Sequence, residues 1–133
     1  MLRSVNLRDY MLKNPVTVSP GDNIVDAMQV IIDNKISGVC VVESDATLVG
    51  ILSEMDCLRA MLGAVYNDSG IGAVSEHMTA ENLIVVHPSE DIVAVAQDML
   101  RSNKRRTPVV EDGKLIGQIT CRQLLSAVKK FSK

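Results

Sequence analysis

Few residues of this chain have types and spacings that could do chemistry. Cys40, Cys57 and Cys121 form no Cys-x-x-Cys pair and are odd in number, which points to reduced thiols rather than a disulfide framework. His77 and His87 have no carboxylate or thiol at metal-ligand spacing and no nucleophile beside them, so neither a metal centre nor a catalytic group is expected. Ser53-Glu54-Met55-Asp56 and Thr120-Cys121-Arg122-Gln123 have the form of a helix capping box, in which side-chain oxygens satisfy the first backbone N–H groups of a helix. Lys104-Arg105-Arg106 is open to three readings: a solvated loop, a nucleic-acid patch or a clamp on a phosphate.

Composition narrows these readings. The chain has 133 residues, 47% apolar and only 2% aromatic, with a formal net charge of −2. So few aromatic rings exclude a stacking platform for single-stranded nucleic acid, and the acidic balance removes the footprint of a DNA-binding domain. Apolar runs such as Val39–Val42 and Leu83–Val86 are far too short to span a bilayer. The first eight residues carry no apolar export segment. A small aliphatic protein of the cytoplasm is expected, with no nucleic-acid and no membrane partner.

Comparing the chain with itself reveals the elements that must position these residues. Leu7 to Met11 matches Val74 to Met78 at a shift of 67. Ile24, Ala27, Met28, Ile31 and Ile32 match Ile92, Val95, Ala96, Met99 and Leu100 at a shift of 68, and Leu48-Val49-Gly50 meets Leu115-Ile116-Gly117. Two diverged copies of one unit show such offsets in their loops. In each copy a short strand (Val16–Val18, Ile84–Val86) precedes a one-faced helix from Ile24 or Ile92. Asp22 and Ser89 or Glu90 stand where an N-cap or first-turn acid belongs. Two strands follow, Val39–Val42 with Leu48–Leu52 and Pro108–Val110 with Leu115–Ile119, joined by turns short enough for antiparallel hairpins. A second helix runs from Glu54 to Leu62, and from Cys121 to Val128.

The expected fold class is therefore α+β, two β-α-β-β-α repeats packed about a pseudo-two-fold axis to bury the apolar face of each sheet. The expected division is 1–65 for the first repeat with its N-terminal segment, 66–73 for a linker and 74–133 for the second repeat. Clefts between such repeats are where small ligands sit. The stripe Met55, Leu58, Met61 and Leu62 serves either the core or the pairing of two chains into a homodimer.

In order and spacing these residues resemble a tandem pair of cystathionine-β-synthase (CBS) domains, a Bateman module, over nearly the whole chain. The opening V-x-(D/E)-x-M stands as Val74-Ser75-Glu76-His77-Met78, and with Leu7 in the first copy. The G-h-h-(S/T)-x-x-D pattern stands as Gly50 to Asp56, and as Gly117 to Gln123 with Gln in place of Asp. The basic-h-P-V-V strand is Arg105 to Val110; its first copy, Lys35 to Val42, has no proline.

The resemblance implies a non-catalytic sensor for an adenosine-containing ligand, AMP, ADP or ATP foremost, with S-adenosylmethionine or NAD as further candidates. It implies a main cleft of Ile51, Ser53, Met55 and Asp56 with Ile84, Arg105, Arg106, Thr107 and Pro108. There Asp56 would accept ribose hydroxyls, Ser53 and one arginine would hold a phosphate, and Ile51, Ile84 and Pro108 would sandwich the purine. Strand alternation lets at most one of Arg105 and Arg106 point inward. The second cleft would join Val16, Ile36, Ser37 and Gly38 to Gln118, Thr120 and Gln123, and is expected to bind weakly for want of a carboxylate and an arginine. Signalling would then run through a separate effector protein. The alternative is a structural or protein-interaction module that binds no small molecule.

Overall fold

A computed structural model describes residues 6–67 and 70–131. The outer ends of the expected division, and residues 68–69 within its linker, lie outside them. The chain forms two compact units, one of Val16–Leu83 and one of Met1–Pro15 with Ile84–Lys133. Each unit thus combines the body of one sequence repeat with the opening segment of the other.

In the unit of Val16–Leu83, strand β2 (Thr17–Val18) leads to helix α1 (Ile24–Asn34), the hairpin β3 (Gly38–Val42) and β4 (Leu48–Ser53), and helix α2 (Glu54–Asn67). Its sheet runs β2-β3-β4, parallel and then antiparallel. Val39, Val41 and Leu52 face one side, where Ile24, Ala27 and Ile31 of α1 and Cys57 and Ala60 of α2 close the core. Val74, in a single 3₁₀ turn at Val74–Glu76, is fully buried in the same cluster.

The other unit repeats the plan with α3 (Ile92–Ser102), β5 (Arg106–Glu111), β6 (Lys114–Thr120) and α4 (Cys121–Phe131), and adds β1 (Leu12–Lys13) antiparallel to β6. Its core gathers Leu7, Val86, Ile92, Val95, Met99, Val109 and Ile119. Fully burying a leucine such as Leu7 stabilises the fold by about 1.5–3 kcal/mol. Each sheet is therefore covered by its own helices and a borrowed opening turn, which gives each unit a core of its own. The mixed α+β class and the doubled β-α-β-β-α plan are as expected.

Three local departures have physical causes. The N-caps are Asn23 and Asp91, whose Oδ1 atoms accept from Val25 N–H at 2.8 Å and Val93 N–H at 2.7 Å. Asp22 and Glu90 instead accept from the backbone N–H groups of Ser19 and His87 in the preceding turns. The expected strand Ile84–Val86 shrinks to one parallel bridge, Val86 with Val109. Val86 N–H donates to the Pro108 carbonyl, and Val110 N–H to the Val86 carbonyl. The next donor toward Ile84 would be residue 108, and proline has none; Cys40, at the matching place in the first copy, keeps its N–H. Finally, α2 runs on to Asn67, into the anticipated linker.

Gly50 and Gly117 make the exchange of opening segments possible. A Cβ on Gly117 would stand 2.6 Å from the Leu12 carbonyl oxygen and 2.9 Å from the Met11 sulfur. At Gly50 the obstacles are the Met78 side chain and, at 3.0 Å, the Thr79 carbonyl oxygen. Thr79 and Ile51 exchange both backbone hydrogen bonds at 2.9 Å. Replacing Gly117 with Ala should cost about 1–3 kcal/mol in urea unfolding, as overpacking against backbone does, and Gly50→Ala should cost less because methionine yields. Gly63, inside α2 with open space around it, should shift the other way, Gly63→Ala gaining about 0.4–1 kcal/mol.

Candidate functional site

Antiparallel register decides which face each candidate side chain occupies, because neighbours across a ladder share a face and neighbours along it do not. Gly38 pairs with Ser53 and Cys40 with Ile51, so Ile51 and Ser53 lie on the sheet face opposite the Val39, Val41 and Leu52 core. In the other unit Arg106 pairs with Thr120 and Pro108 with Gln118, again opposite the core residues Val109 and Ile119. Thr107 falls on the core side and is 2% exposed. Arg106 is thus the arginine that shares a face with Thr120, at the place that Gly38 takes in the first copy. Arg105 precedes the strand and lines a groove of about 320 Å³ between α3 and α4 with Lys104, Met99, Leu100, Leu124 and Leu125.

Both Ser/Thr-x-x-Asp/Gln sequences form the capping box. Ser53 N–H donates to Asp56 Oδ2 at 2.9 Å, and Asp56 N–H to Ser53 Oγ at 3.1 Å. Thr120 N–H donates to Gln123 Oε1 at 2.9 Å, and Gln123 N–H to Thr120 Oγ1 at 3.2 Å. Glu54 N–H and Cys121 N–H go back to the Ser37 and Arg105 carbonyls. The N–H of the cap residue Ser53 and those of Glu54 and Asp56 in α2 are therefore already bonded, and an anion there would draw less on the helix terminus than the sequence suggests.

The copies part in their charge. The Asp56 side chain is 8% exposed, and its Oδ1 accepts from Arg59 Nη2 at 2.6 Å. A pocket of about 350 Å³ opens beside this pair, lined also by Asn67, Ile71, Glu76 and His77. In the second copy Gln123 is neutral and Ser126 stands in place of the arginine. Nothing in the sequence singled out Arg59; its i,i+3 spacing from Asp56 was the available signal.

The remaining candidates divide by exposure. Met55, Ile84 and Val16 are exposed, Ile36 is half-buried against its core, Ser37 is exposed, and Gly38 and Pro108 are buried. Of the apolar stripe on α2, Met55, Leu58, Met61 and Leu62 are all exposed, so it is not core. Among the described residues no group of three or more His, Cys, Asp or Glu comes together for a metal, and no helix is long and apolar enough to cross a membrane.

Two copies of a β-α-β-β-α unit, each ending its hairpin in a capped helix, define a tandem-repeat module with matching polar corners. The chain belongs to the CBS-domain family: the CBS domain model matches residues 7–63 and again 74–130. The structure of CBSX2 in complex with AMP superposes with a TM-score of 0.86, at 29% identity, covering 98% of this chain and all of that one. The CBS domain pair of MJ0100, in complex with 5′-methylthioadenosine and S-adenosyl-L-methionine, gives a TM-score of 0.76 at 25% identity, covering 96% and 98% of the two chains. An inosine-5′-monophosphate dehydrogenase of Aquifex aeolicus is 36% identical over 90% of this chain, which spans 24% of that enzyme. The chain spans 24% to 64% of the length of the first curated relatives it matches.

The thiols give a direct check on this description. Cys121 is exposed whereas Cys40 and Cys57 are buried. Burial, and then the carboxylates of Asp56 and Glu54, push the Cys57 thiol above its ordinary pKa, and only the thiolate reacts. Iodoacetamide at about pH 8 should label Cys121 first, with Cys57 lagging as long as the protein stays folded, as mass spectrometry of the alkylated peptides would show.

Proposed function

We propose that this chain is a non-catalytic sensor that binds an adenosine-containing ligand and passes its occupancy to a separate effector protein. The observation that carries the reading is the likeness, over almost the full chain, to a relative solved with AMP. The buried carboxylate of Asp56 and the cation of Arg106 suit the two polar ends of such a molecule. Asp56 accepts ribose hydroxyls through charge-assisted hydrogen bonds; Arg106, with Ser53, holds a phosphate. AMP, ADP or ATP fits this charge pattern best, and S-adenosylmethionine or NAD shares the ribose half. The aliphatic surfaces of Ile51, Ile84 and Pro108 take the purine, in a chain with few aromatic rings. Arg105, Met55 and Thr107 belong to the edges of this reading. The combination of Val16, Ile36, Ser37 and Gly38 with Gln118, Thr120 and Gln123 lacks both charges and binds weakly. Ligand acts by favouring one arrangement of the module over another.

The exposed apolar residues of the helices, Met55, Leu58, Met61 and Leu62 with Leu100, Leu125 and Val128, support a homodimer built through helix faces. We place the protein in the cytoplasm, consistent with cysteines that form no disulfide. A second reading, a structural or protein-interaction module, is favoured by one observation: both oxygens of Asp56 already have protein partners.

Thermal-shift measurements on ligand-free protein with AMP, ADP, ATP, S-adenosylmethionine and NAD separate the two. A ligand at about 100 times its Kd adds roughly 2.7 kcal/mol and raises Tm by several degrees; no shift with any of them supports the structural module. Asp56→Ala should weaken binding by about 1.5–3 kcal/mol, beyond the loss of about 1 kcal/mol of stability that a missing cap alone brings. Calorimetry should find one tight site per chain, and two equivalent tight sites would contradict the assigned asymmetry. Leu58→Asp combined with Leu62→Asp should halve the mass seen by light scattering if α2 pairs the chains, and leave it unchanged if it does not.

A further inference from the structure

The Arg59–Asp56 pair bears on how a ligand reaches the carboxylate. Asp56 is held on two sides. Ser53 N–H occupies Oδ2 as part of the helix cap, and Arg59 Nη2 lies 2.6 Å from Oδ1. Only 8% of the Asp56 side chain is exposed, and Arg59 lines the same pocket. The guanidinium therefore sits on the open side of the carboxylate. Polar neighbours there are tied down: Glu76 accepts from Ala73 N–H at 2.6 Å, and His77 Nε2 lies 2.6 Å from the Ile71 carbonyl oxygen. The Arg59 side chain is 66% exposed, so it can leave without opening the core, whereas Ser53 N–H cannot leave without uncapping α2.

We infer that Arg59 is a built-in competitor for the ligand: its guanidinium occupies the carboxylate oxygen that ribose hydroxyls need, and must swing away when an adenosine compound binds. This inference rests on the reading of Asp56 as the ribose acceptor. Arg59 also stops a buried carboxylate from standing uncompensated on its open side in the empty protein, where an unpaired charge is costly. The second copy needs no such residue, because Gln123 carries no charge to compensate.

The test is isothermal titration of adenosine and of AMP into the wild type, Arg59→Ala, Arg59→Lys and Asp56→Ala. The guanidinium is the exposed partner and is screened by water, so the competition is of the size of a surface ion pair, and Arg59→Ala should tighten adenosine roughly two- to five-fold, and AMP by the same factor. Arg59→Lys should stay near the wild type. Salt adds a readout that a merely structural role would not move. Raising NaCl from about 0.05 to about 0.5 M screens the pair, and so should tighten adenosine, which is uncharged, for the wild type but not for Arg59→Ala.

Unchanged or weaker adenosine binding by Arg59→Ala overturns the inference. Weaker AMP binding with no gain for adenosine makes Arg59 a phosphate ligand and overturns it equally. If Asp56→Ala weakens binding while Arg59→Ala gains nothing, the ribose reading stands and the competitor alone fails. If Asp56→Ala binds as the wild type does, or no variant binds either compound, the ribose reading fails and takes the competitor with it.

Discussion

At Gly117 the Leu12 backbone, and at Gly50 the Met78 side chain with the Thr79 carbonyl, stand in the space a side chain would fill, and the docking of both opening segments depends on that close approach. Each glycine sits in the strand that ends in a capping box, so the opening segment docks three residues before Ser53 and Thr120. Met11 and Leu12 lie over Gly117, and Met78 and Thr79 over Gly50. That docking delivers Leu7 and Val74 to full burial. It also places the Arg8 N–H on the Pro88 carbonyl and the Ser75 N–H on the Pro20 carbonyl, both at 2.9 Å. Packing a strand over a glycine gains dispersion contact that any larger residue would replace with strain.

Within this shared frame the copies use one local device for different electrostatic ends. The capping box satisfies early helix donors whether its fourth residue is Asp or Gln. Only the carboxylate brings a charge, and only that copy has an arginine on the next turn to meet it. In β5 the cation Arg106 shares a face with Thr120, where β3 has the bare Gly38 beside Ser53. The two capping-box corners thus differ in charge: one carries the Asp56 carboxylate with Arg59 upon it, and the other the neutral Gln123 with Arg106 on the adjoining sheet face.

Much of this was legible along the chain. Helical periodicity from Ile24 and Ile92 placed α1 and α3, and the polar turns between apolar runs placed both hairpins. Asp112 and Gly113 take φ of 54° and 78°, as a two-residue hairpin turn requires. What misled was ladder chemistry. Ile84-Val85-Val86 reads as a strand, but a strand also needs a partner's donors, and Pro108 withholds one. The caps fell one residue later than anticipated on the first helix and one or two later on the second, since Asn23 and Asp91 are the residues with extended backbone at the helix start.

The sequence by itself determined the duplicated plan, the two capping boxes and the exchange of Asp for Gln between them, because periodicity, turn chemistry and capping are local and are written in residue order. Only the tertiary structure decided which opening turn serves which core, since that depends on a backbone crossing a glycine far away in the chain. It alone separated Arg106 from Arg105, through the register that pairs Arg106 with Thr120. It also brought Arg59 onto Asp56: the spacing permitted the contact, but the burial of the carboxylate left a guanidinium covering its open side.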